Sequence, residues 1–138
     1  MLAFEKPDVE QFFRTFGIQT FAVRPDEKQL VFSTNLNGTY NLWAMDLPET
    51  FPYPLTFENQ SCHELLYSQT GDYLIAIMDK DGDENGQVYA VSTRGGKVKP
   101  LRKQEGFRHD MPLLTRDGKR LYYTSNKEDQ TFLKAYTY

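Results

Sequence analysis

The chain has 138 residues, a formal net charge of -3 with both signs mixed, and one cysteine, Cys62. This length is enough for one domain with a core of its own. The mixed charge excludes a broad field for nucleic acid or an anionic membrane. A single cysteine cannot form an internal disulfide, which favours a reducing, cytoplasmic setting. The aromatic share of 14%, with 10 Phe and 9 Tyr, favours β structure, because aromatic side chains suit a pleated sheet.

The first 17 residues predict one short helix. Pro7 suits a first helical turn, and Asp8 and Glu10 lie where the positive end of a helix favours acidic residues. An apolar face follows before Gly17, made by Phe12, Phe13 and Phe16. This segment lacks the basic start and continuous apolar run of a secretory signal. We therefore expect residues 1–17 to form a docking helix, and no later apolar run approaches the roughly 18 residues of a membrane helix.

Three segments of the chain repeat one pattern, in which a turn and a polar residue lead into an apolar run that begins with leucine. These leucines are Leu30, Leu74 and Leu121. Their spacing is close to the ~40 to 45 residues of a propeller blade. Helical repeats can have a similar length, but the short β-rich runs between turns exclude them. The sequence therefore predicts three blades, at residues 18–58, 59–104 and 105–138.

Turn signals divide these units into strands. Dipeptides such as Asn37-Gly38, Asn85-Gly86 and Asp117-Gly118 supply the positive φ or the side-chain capping that a chain reversal needs. Strands are predicted near residues 19–24, 29–34, 39–46, 53–57, 63–68, 72–79, 86–92, 97–102, 109–115, 119–125 and 131–137. Four strands make a blade. The predicted fold class is all-β, a partial β-propeller of about three four-stranded antiparallel blades, the third lacking its outer strand.

The loop at residues 79–86 (DKDGDENG) has carboxylates at alternate positions, which could converge on a calcium ion. In the calcium-loop pattern, however, the sixth residue is Gly and the twelfth is a bidentate Glu. Here those positions hold Glu84 and Ala90. We interpret the segment as a solvated hairpin loop, and we predict no metal site there.

Two further groups contain residue types used in zinc binding or catalysis. Cys62, His63 and Glu64 could ligate zinc, but no second cluster of Cys or His completes a four-ligand shell. His109 and Asp110 supply a base and a carboxylate, yet no serine lies in a G-x-S-x-G elbow. Glycine motifs that hold phosphate groups are also missing. The sequence therefore predicts no catalytic, cofactor-binding or metal-binding residues.

Six basic residues could track a phosphate backbone: Arg94, Lys97, Lys99, Arg102, Lys103 and Arg108. Their spacing follows two adjacent predicted strands, and only Phe107 is available as an interleaved aromatic platform. We interpret them as a solvated blade face and predict no nucleic-acid partner. Three aromatic pairs could line a groove, but they are predicted instead to fill the space between stacked blades: Tyr40 with Trp43, Tyr122 with Tyr123, and Tyr136 with Tyr138.

Residues 21–26 (FAVRPD), 30–38 (LVFSTNLNG) and 41–46 (NLWAMD) together resemble the TolB-type propeller repeat. Residues 79–89 (DKDGDENGQVY) are similar to a loop in the propeller of bacterial prolyl oligopeptidase family peptidases, which include acylaminoacyl peptidases. The resemblance covers about residues 18–138. The chain departs from the repeat where Glu27 replaces the glycine after Asp26, and where the second unit lacks the turn aspartate before Gly71.

The resemblance implies a larger chain, in which a propeller caps an α/β-hydrolase domain and limits access to short peptides. The catalytic Ser, Asp and His of that family belong to the hydrolase domain, so no catalytic position transfers to this chain. The expected partners are the remainder of the parent chain and short peptides. An alternative is a stand-alone interaction module that forms a homo-oligomer through its open blade edges, because three blades cannot close a ring.

Overall fold

In a computed structural model of the protein, the described residues are 3, 6, 8–80 and 82–138, without the side chains of Gln11, Phe12 and Met111. The predicted roles of Pro7 and Asp81 fall outside the described residues, as does that of the Phe12 side chain. Within them, one helix, α1 (Val9–Phe13), is followed by eleven strands. The strands are β1 (Ile18–Val23), β2 (Gln29–Thr34), β3 (Asn41–Asp46), β4 (Pro52–Pro54), β5 (Cys62–Tyr67), β6 (Tyr73–Met78), β7 (Gln87–Ser92), β8 (Lys99–Arg102), β9 (His109–Leu114), β10 (Leu121–Ser125) and β11 (Lys134–Thr137).

The helix α1 spans only Val9–Phe13. The Asp8 side chain caps it by accepting a hydrogen bond from the Glu10 backbone N–H at 3.1 Å. The prediction of one helical face that includes Phe16 is therefore wrong. Beyond the helix, the Gly17 N–H donates to Asn35 Oδ1 at 2.7 Å, which ties this segment to the first sheet. No helix in the described part of the chain is long and apolar enough to cross a membrane.

The described strands form three antiparallel sheets, each a simple meander. Sheet A contains β1 to β4, sheet B contains β5 to β8, and sheet C contains β9 to β11. The first strands of consecutive sheets lie beside each other, β1 against β5 and β5 against β9. This arrangement confirms the predicted all-β partial propeller, including a third blade with three strands.

The core consists of two layers, one between each pair of consecutive sheets. The layer between sheets A and B contains Val31, Leu42, Ala44, Leu55, Cys62, Tyr67, Leu74, Ala76, Met78, Tyr89 and Val91. The layer between sheets B and C is built on Ile75, Ile77, Val88 and Leu121. Sheet B is therefore covered on both faces, which explains why β6 is apolar throughout its length.

The three repeat leucines occupy the same position in their sheets. Each of Leu30, Leu74 and Leu121 pairs with the last residue of the first strand of its sheet. Leu74 and Leu121 are buried, whereas Leu30 is only half-buried. The difference arises because the preceding sheet covers this position in sheets B and C, and nothing described covers it in sheet A.

Two turns differ from the residue types that usually form them. Glu27 adopts a positive φ of 59° where the repeat has glycine. The turn expected at Asn85-Gly86 lies earlier, where Gly82 and Glu84 have positive φ values of 74° and 58°. Gly86 is required by close packing instead, because a Cβ there would lie 2.6 Å from Ile77 Cγ2 and 2.8 Å from the His109 carbonyl oxygen. Glycine at this position lets sheets B and C approach closely.

Candidate functional site

In the acidic loop after β6, Asp79 and Asp83 have partners within the protein. Asp79 is buried, and its Oδ2 lies 3.1 Å from Nε2 of His63. Asp83 Oδ1 accepts hydrogen bonds from the backbone N–H groups of Lys80 and Asn85, at 3.3 Å and 3.1 Å. Among the described residues, no group of three or more His, Cys, Asp or Glu side chains could hold a metal ion. The loop geometry is that of a hairpin turn capped by its own side chains.

Cys62, His63 and Glu64 do not converge. The Cys62 side chain is buried between sheets A and B, where its Sγ donates to the Glu64 carbonyl oxygen at 3.3 Å. Burial raises the pKa of the Cys62 thiol far above its usual range, so the nucleophilic thiolate is disfavoured. His63 lies at a β-bulge at the start of β5, and its side chain is exposed. The two potential ligands therefore lie in different environments.

His109 and Asp110 diverge in the same way. Only 1% of His109 is exposed, and its ring meets Tyr123 edge-on with centroids 5.5 Å apart. Neither ring nitrogen has a hydrogen-bond partner among the described residues. Asp110 pairs with Arg108 Nε instead. His109 and Asp110 therefore do not form the hydrogen-bonded base and carboxylate of a catalytic triad.

The basic residues do not form one face. The prediction that they follow two adjacent strands is wrong, because only Lys99 and Arg102 lie in a strand, β8. Arg102 stacks on the ring of Tyr138, with its guanidinium carbon 3.8 Å from the ring centroid. The remaining four lie in connections between strands: Arg94, Lys97, Lys103 and Arg108.

The aromatic pairs separate into buried and exposed members. Tyr123 is buried and stacks on Tyr136, with ring centroids 5.7 Å apart. This agrees with the predicted role in packing. Tyr122 is exposed and lies on the side of sheet C that has no described neighbour, so the packing role predicted for it is wrong. Tyr138 is partly exposed, but it pairs with Leu121 on the side of sheet C that faces sheet B, where Arg102 stacks on its ring.

An apolar surface lies on the side of sheet A that faces away from sheet B. Residues directly opposite each other on neighbouring strands share one face of a sheet, and the pairing of β1 to β4 places two apolar rows there. One row is Phe21, Phe32, Trp43 and Pro54, and the other is Val23, Leu30, Met45 and Pro52. We call these eight residues, with the adjacent Ile18, the open face. Its groove of about 390 Å³ has apolar lining residues, and Phe21 is 65% exposed.

The same positions of sheet B are buried. The rows at these positions of its ladder are Leu65, Ala76 and Tyr89, then Tyr67, Leu74 and Val91. All of them pack in the layer between sheets A and B. The open face of sheet A is thus the repeat equivalent of a surface that a preceding sheet covers in the next blade. This equivalence makes the open face the candidate functional surface of the chain.

Comparison with known proteins identifies the fold. No protein-family model matches the chain, and no curated protein sequence matches it. Among solved structures, TolB from Acinetobacter baumannii matches with a TM-score of 0.57 and 26% identity, over 74% of this chain and 25% of that one. A putative TolB from Agrobacterium tumefaciens matches with a TM-score of 0.65 and 15% identity, over 83% of this chain and 43% of that one.

The tricorn protease matches with a TM-score of 0.64 and 17% identity, over 86% of this chain and 12% of that one. The chain therefore has the fold of a TolB-like β-propeller segment. It spans less than half the length of each of these three proteins. The feature of this segment that bears on its function is the open face of sheet A, which no described sheet covers.

Proposed function

We propose that this chain is a non-catalytic segment of a larger β-propeller, in which a further four-stranded sheet packs on the open face. The observation that carries the proposal is the equivalence between the rows of sheet A that no described sheet covers and the rows of sheet B that pack against sheet A. A contiguous apolar face of this kind is typical of a surface that another element covers. Burying Phe21 alone would contribute roughly 1.5 to 3 kcal/mol.

The parent protein proposed here is a cytoplasmic bacterial serine peptidase of the prolyl oligopeptidase family, of the acylaminoacyl peptidase type. In it, the propeller would limit the access of short peptides to an α/β-hydrolase domain. Two observations support this assignment. Residues 79–89 resemble the propeller loop of that family, and one neighbour in fold is described as a protease. The segment itself would contribute shape and access control, because Asp79, His109 and Asp110 are engaged in packing or in local bonds.

The first experiment follows the natural reading frame. If the proposal is correct, the full-length protein contains further repeats and a G-x-S-x-G segment, and a fluorophosphonate probe labels it. The 138-residue chain is expected to remain unlabelled. A natural stop codon after Tyr138, or labelling of the 138-residue chain, contradicts the proposal.

A second experiment tests access control in the full-length peptidase. Phe21→Asp introduces a charge into the interface between blades and should loosen the ring, because an unpaired charge is costly to bury. Hydrolysis of a long unfolded polypeptide should then rise relative to that of a short chromogenic peptide. Phe57→Asp is the matched control, because Phe57 is also exposed but lies in the connection between β4 and β5. An equal ratio of the two rates in both variants argues against gating.

The open face also supports an alternative, a stand-alone module that oligomerises through this surface. In that case, the 138-residue chain sediments as an oligomer, and Phe21→Asp converts it to a monomer whereas Phe57→Asp does not. A monomer at all concentrations contradicts this alternative.

A further inference from the structure

A polar cleft lies among the connections of sheets A and B. It has a volume of about 440 Å³. Its lining comes from the first residues of β1 and β5 and from the connections β2–β3, β4–β5 and β6–β7. All of the described residues that line it fall between positions 19 and 84, so neither sheet C nor the open face contributes to it.

Asp79, at the end of β6, brings a buried carboxylate to this cleft. Only 3% of the residue is exposed. Its Oδ2 lies 3.1 Å from His63 Nε2, but its Oδ1 has no hydrogen-bond partner among the described residues. A buried carboxylate oxygen without a donor is costly, because the group has lost its hydration. Since Asp79 lines the cleft, a donor that binds in the cleft can supply the second bond.

The neutral polar side chains of the cleft already bond to one another. Gln19 Oε1 accepts a hydrogen bond from the Ser61 hydroxyl at 2.6 Å. Asn59 Oδ1 accepts one from the Thr39 hydroxyl at 3.0 Å. Glu84, by contrast, is exposed and forms no ion pair in the described part of the chain. The free acceptor capacity of the cleft therefore lies mainly on two carboxylates, those of Asp79 and Glu84.

The charges of the cleft favour a cationic ligand. No lysine or arginine occurs among its described lining residues, and Arg108 of the adjoining cleft is paired with Asp110. A metal ion is disfavoured, because no group of three or more His, Cys, Asp or Glu side chains in the described ranges could hold one. A guanidinium group is more suitable: its planar N–H donors match carboxylates, it is more weakly hydrated than an ammonium, and it stacks on aromatic rings. Tyr40 supplies such a ring in the cleft wall.

We propose that this cleft is a binding site for a guanidinium group, carried by an arginine side chain of a polypeptide or by a small guanidino compound. The guanidinium donates hydrogen bonds to Asp79 Oδ1 and to the Glu84 carboxylate, and it lies against the ring of Tyr40. His63 holds the other oxygen of Asp79 and so fixes the orientation of this carboxylate. The site is separate from the open face and does not depend on the proposed peptidase parent.

The test uses the nitrogen-labelled 138-residue chain and two small probes, N-acetyl-argininamide and N-acetyl-citrullinamide. The probes differ in that citrulline carries a neutral urea in place of the guanidinium. In heteronuclear NMR titrations, the arginine probe should shift the amide signals of His63 and Glu84 saturably, whereas the citrulline probe should not. The contrast isolates the positive charge, because the two probes have nearly the same shape.

Two substitutions test the carboxylates. Asp79→Asn should weaken binding of the arginine probe by about tenfold, since it removes a charge-assisted hydrogen bond. Glu84→Gln should weaken it by about two- to fivefold, because this carboxylate is exposed and its ion pair is screened. Glu49→Gln is the matched control: it makes the same change of charge at an exposed residue of the β3–β4 connection and should leave the affinity unchanged. Circular dichroism melting curves establish that each variant is folded, and Glu84→Gln keeps the test decisive if Asp79→Asn unfolds.

A further arm distinguishes the sources of the guanidinium. Tighter binding of the peptide Ala-Ala-Arg-Ala-Ala than of methylguanidinium identifies an arginine within a polypeptide, and the reverse order identifies a small compound. If the full-length protein does not respond to the probes that bind the 138-residue chain, the occupant is an arginine of the parent chain itself. The proposal is overturned if the arginine probe causes no saturable shift, if the citrulline probe binds equally well, or if folded Asp79→Asn and Glu84→Gln variants bind as the unmodified chain does.

Discussion

His109 combines an ionisable ring with an environment that cannot solvate its charge. The side chain is buried beside Tyr123, and neither ring nitrogen has a partner in the described part of the protein. Burial lowers the pKa of His109, and the positive charges of Lys127 and Arg102 act in the same direction, against Asp110. The neutral ring is therefore the form that fits between sheets B and C.

We expect the free energy of unfolding to fall as the pH is lowered from 7.5 to 5.5. Histidine in the unfolded chain has a pKa of about 6.5, above that of folded His109. The unfolded state therefore binds the proton first, so this stability is present above about pH 6.5 and is lost as the pH falls towards the folded pKa. The slope from one proton cannot exceed about 1.4 kcal/mol per pH unit. Urea titrations at several pH values measure it.

The variant His109→Phe should remove this pH dependence while it keeps an aromatic ring against Tyr123. The chain has two histidines, and His109 is the buried one. An unchanged slope in His109→Phe would show that other groups cause the effect.

At the scale of the strands, one buried side chain links sheets A and B. The Nε2 of Gln29, on β2, donates to the Tyr53 hydroxyl at 2.8 Å and to the Thr93 carbonyl oxygen at 3.2 Å. Its Oε1 accepts from the Tyr67 hydroxyl of β5 at 3.0 Å. Burial raises the pKa of Tyr67 above its usual range, which keeps this hydroxyl protonated as a donor. The contact therefore fixes the position of the two sheets by hydrogen bonds within an apolar layer.

Gln29→Ala should lower the free energy of unfolding by about 1 to 3 kcal/mol, because it leaves the Tyr67 hydroxyl and the Thr93 carbonyl buried without a partner. Tyr67→Phe removes one of these groups. In a double-mutant cycle, the two changes together should cost less than the sum of the single changes. Ser92→Ala is the control, since Ser92 is exposed and its hydroxyl accepts an exposed hydrogen bond from the Arg94 backbone N–H. Additive costs at Gln29 and Tyr67 would contradict the described link.

The strands could be predicted because their signals are local. Turn residues and apolar runs lie within a few positions of each other, and all eleven predicted strands are present with small shifts at their ends. The Gln29 link and the His63–Asp79 pair were not predicted, because they join residues far apart in the chain and depend on register across strands. One signal of the open face was available: the continuous run Leu30, Val31, Phe32 indicates a strand whose two faces are both buried.

At the scale of the whole molecule, the equivalent residues Leu30 and Leu74 differ in burial, because a neighbouring sheet covers only Leu74. Leu74→Ala should cost about 2 to 5 kcal/mol of unfolding free energy, because it leaves a cavity in a covered layer. Leu30→Ala should cost less than about 1 kcal/mol in the 138-residue chain, since its side chain lies at the open face. Urea denaturation of both variants measures the contrast. Similar costs would mean that the open face is already covered in solution, as the oligomeric alternative requires.

The stacking of three sheets, each touching mainly its immediate neighbour, has a consequence for how the chain opens. In such a linear array, stability is close to a sum of nearest-neighbour terms. Sheet B shares an interface with both neighbours, whereas sheets A and C share only one each. Amide hydrogens of β6 should therefore exchange with solvent last, after those of β1 and β11, and local opening should proceed from the two ends of the stack towards the middle. Sheet B is therefore expected to have the highest local stability of the three, and sheets A and C are each stabilised by packing against it.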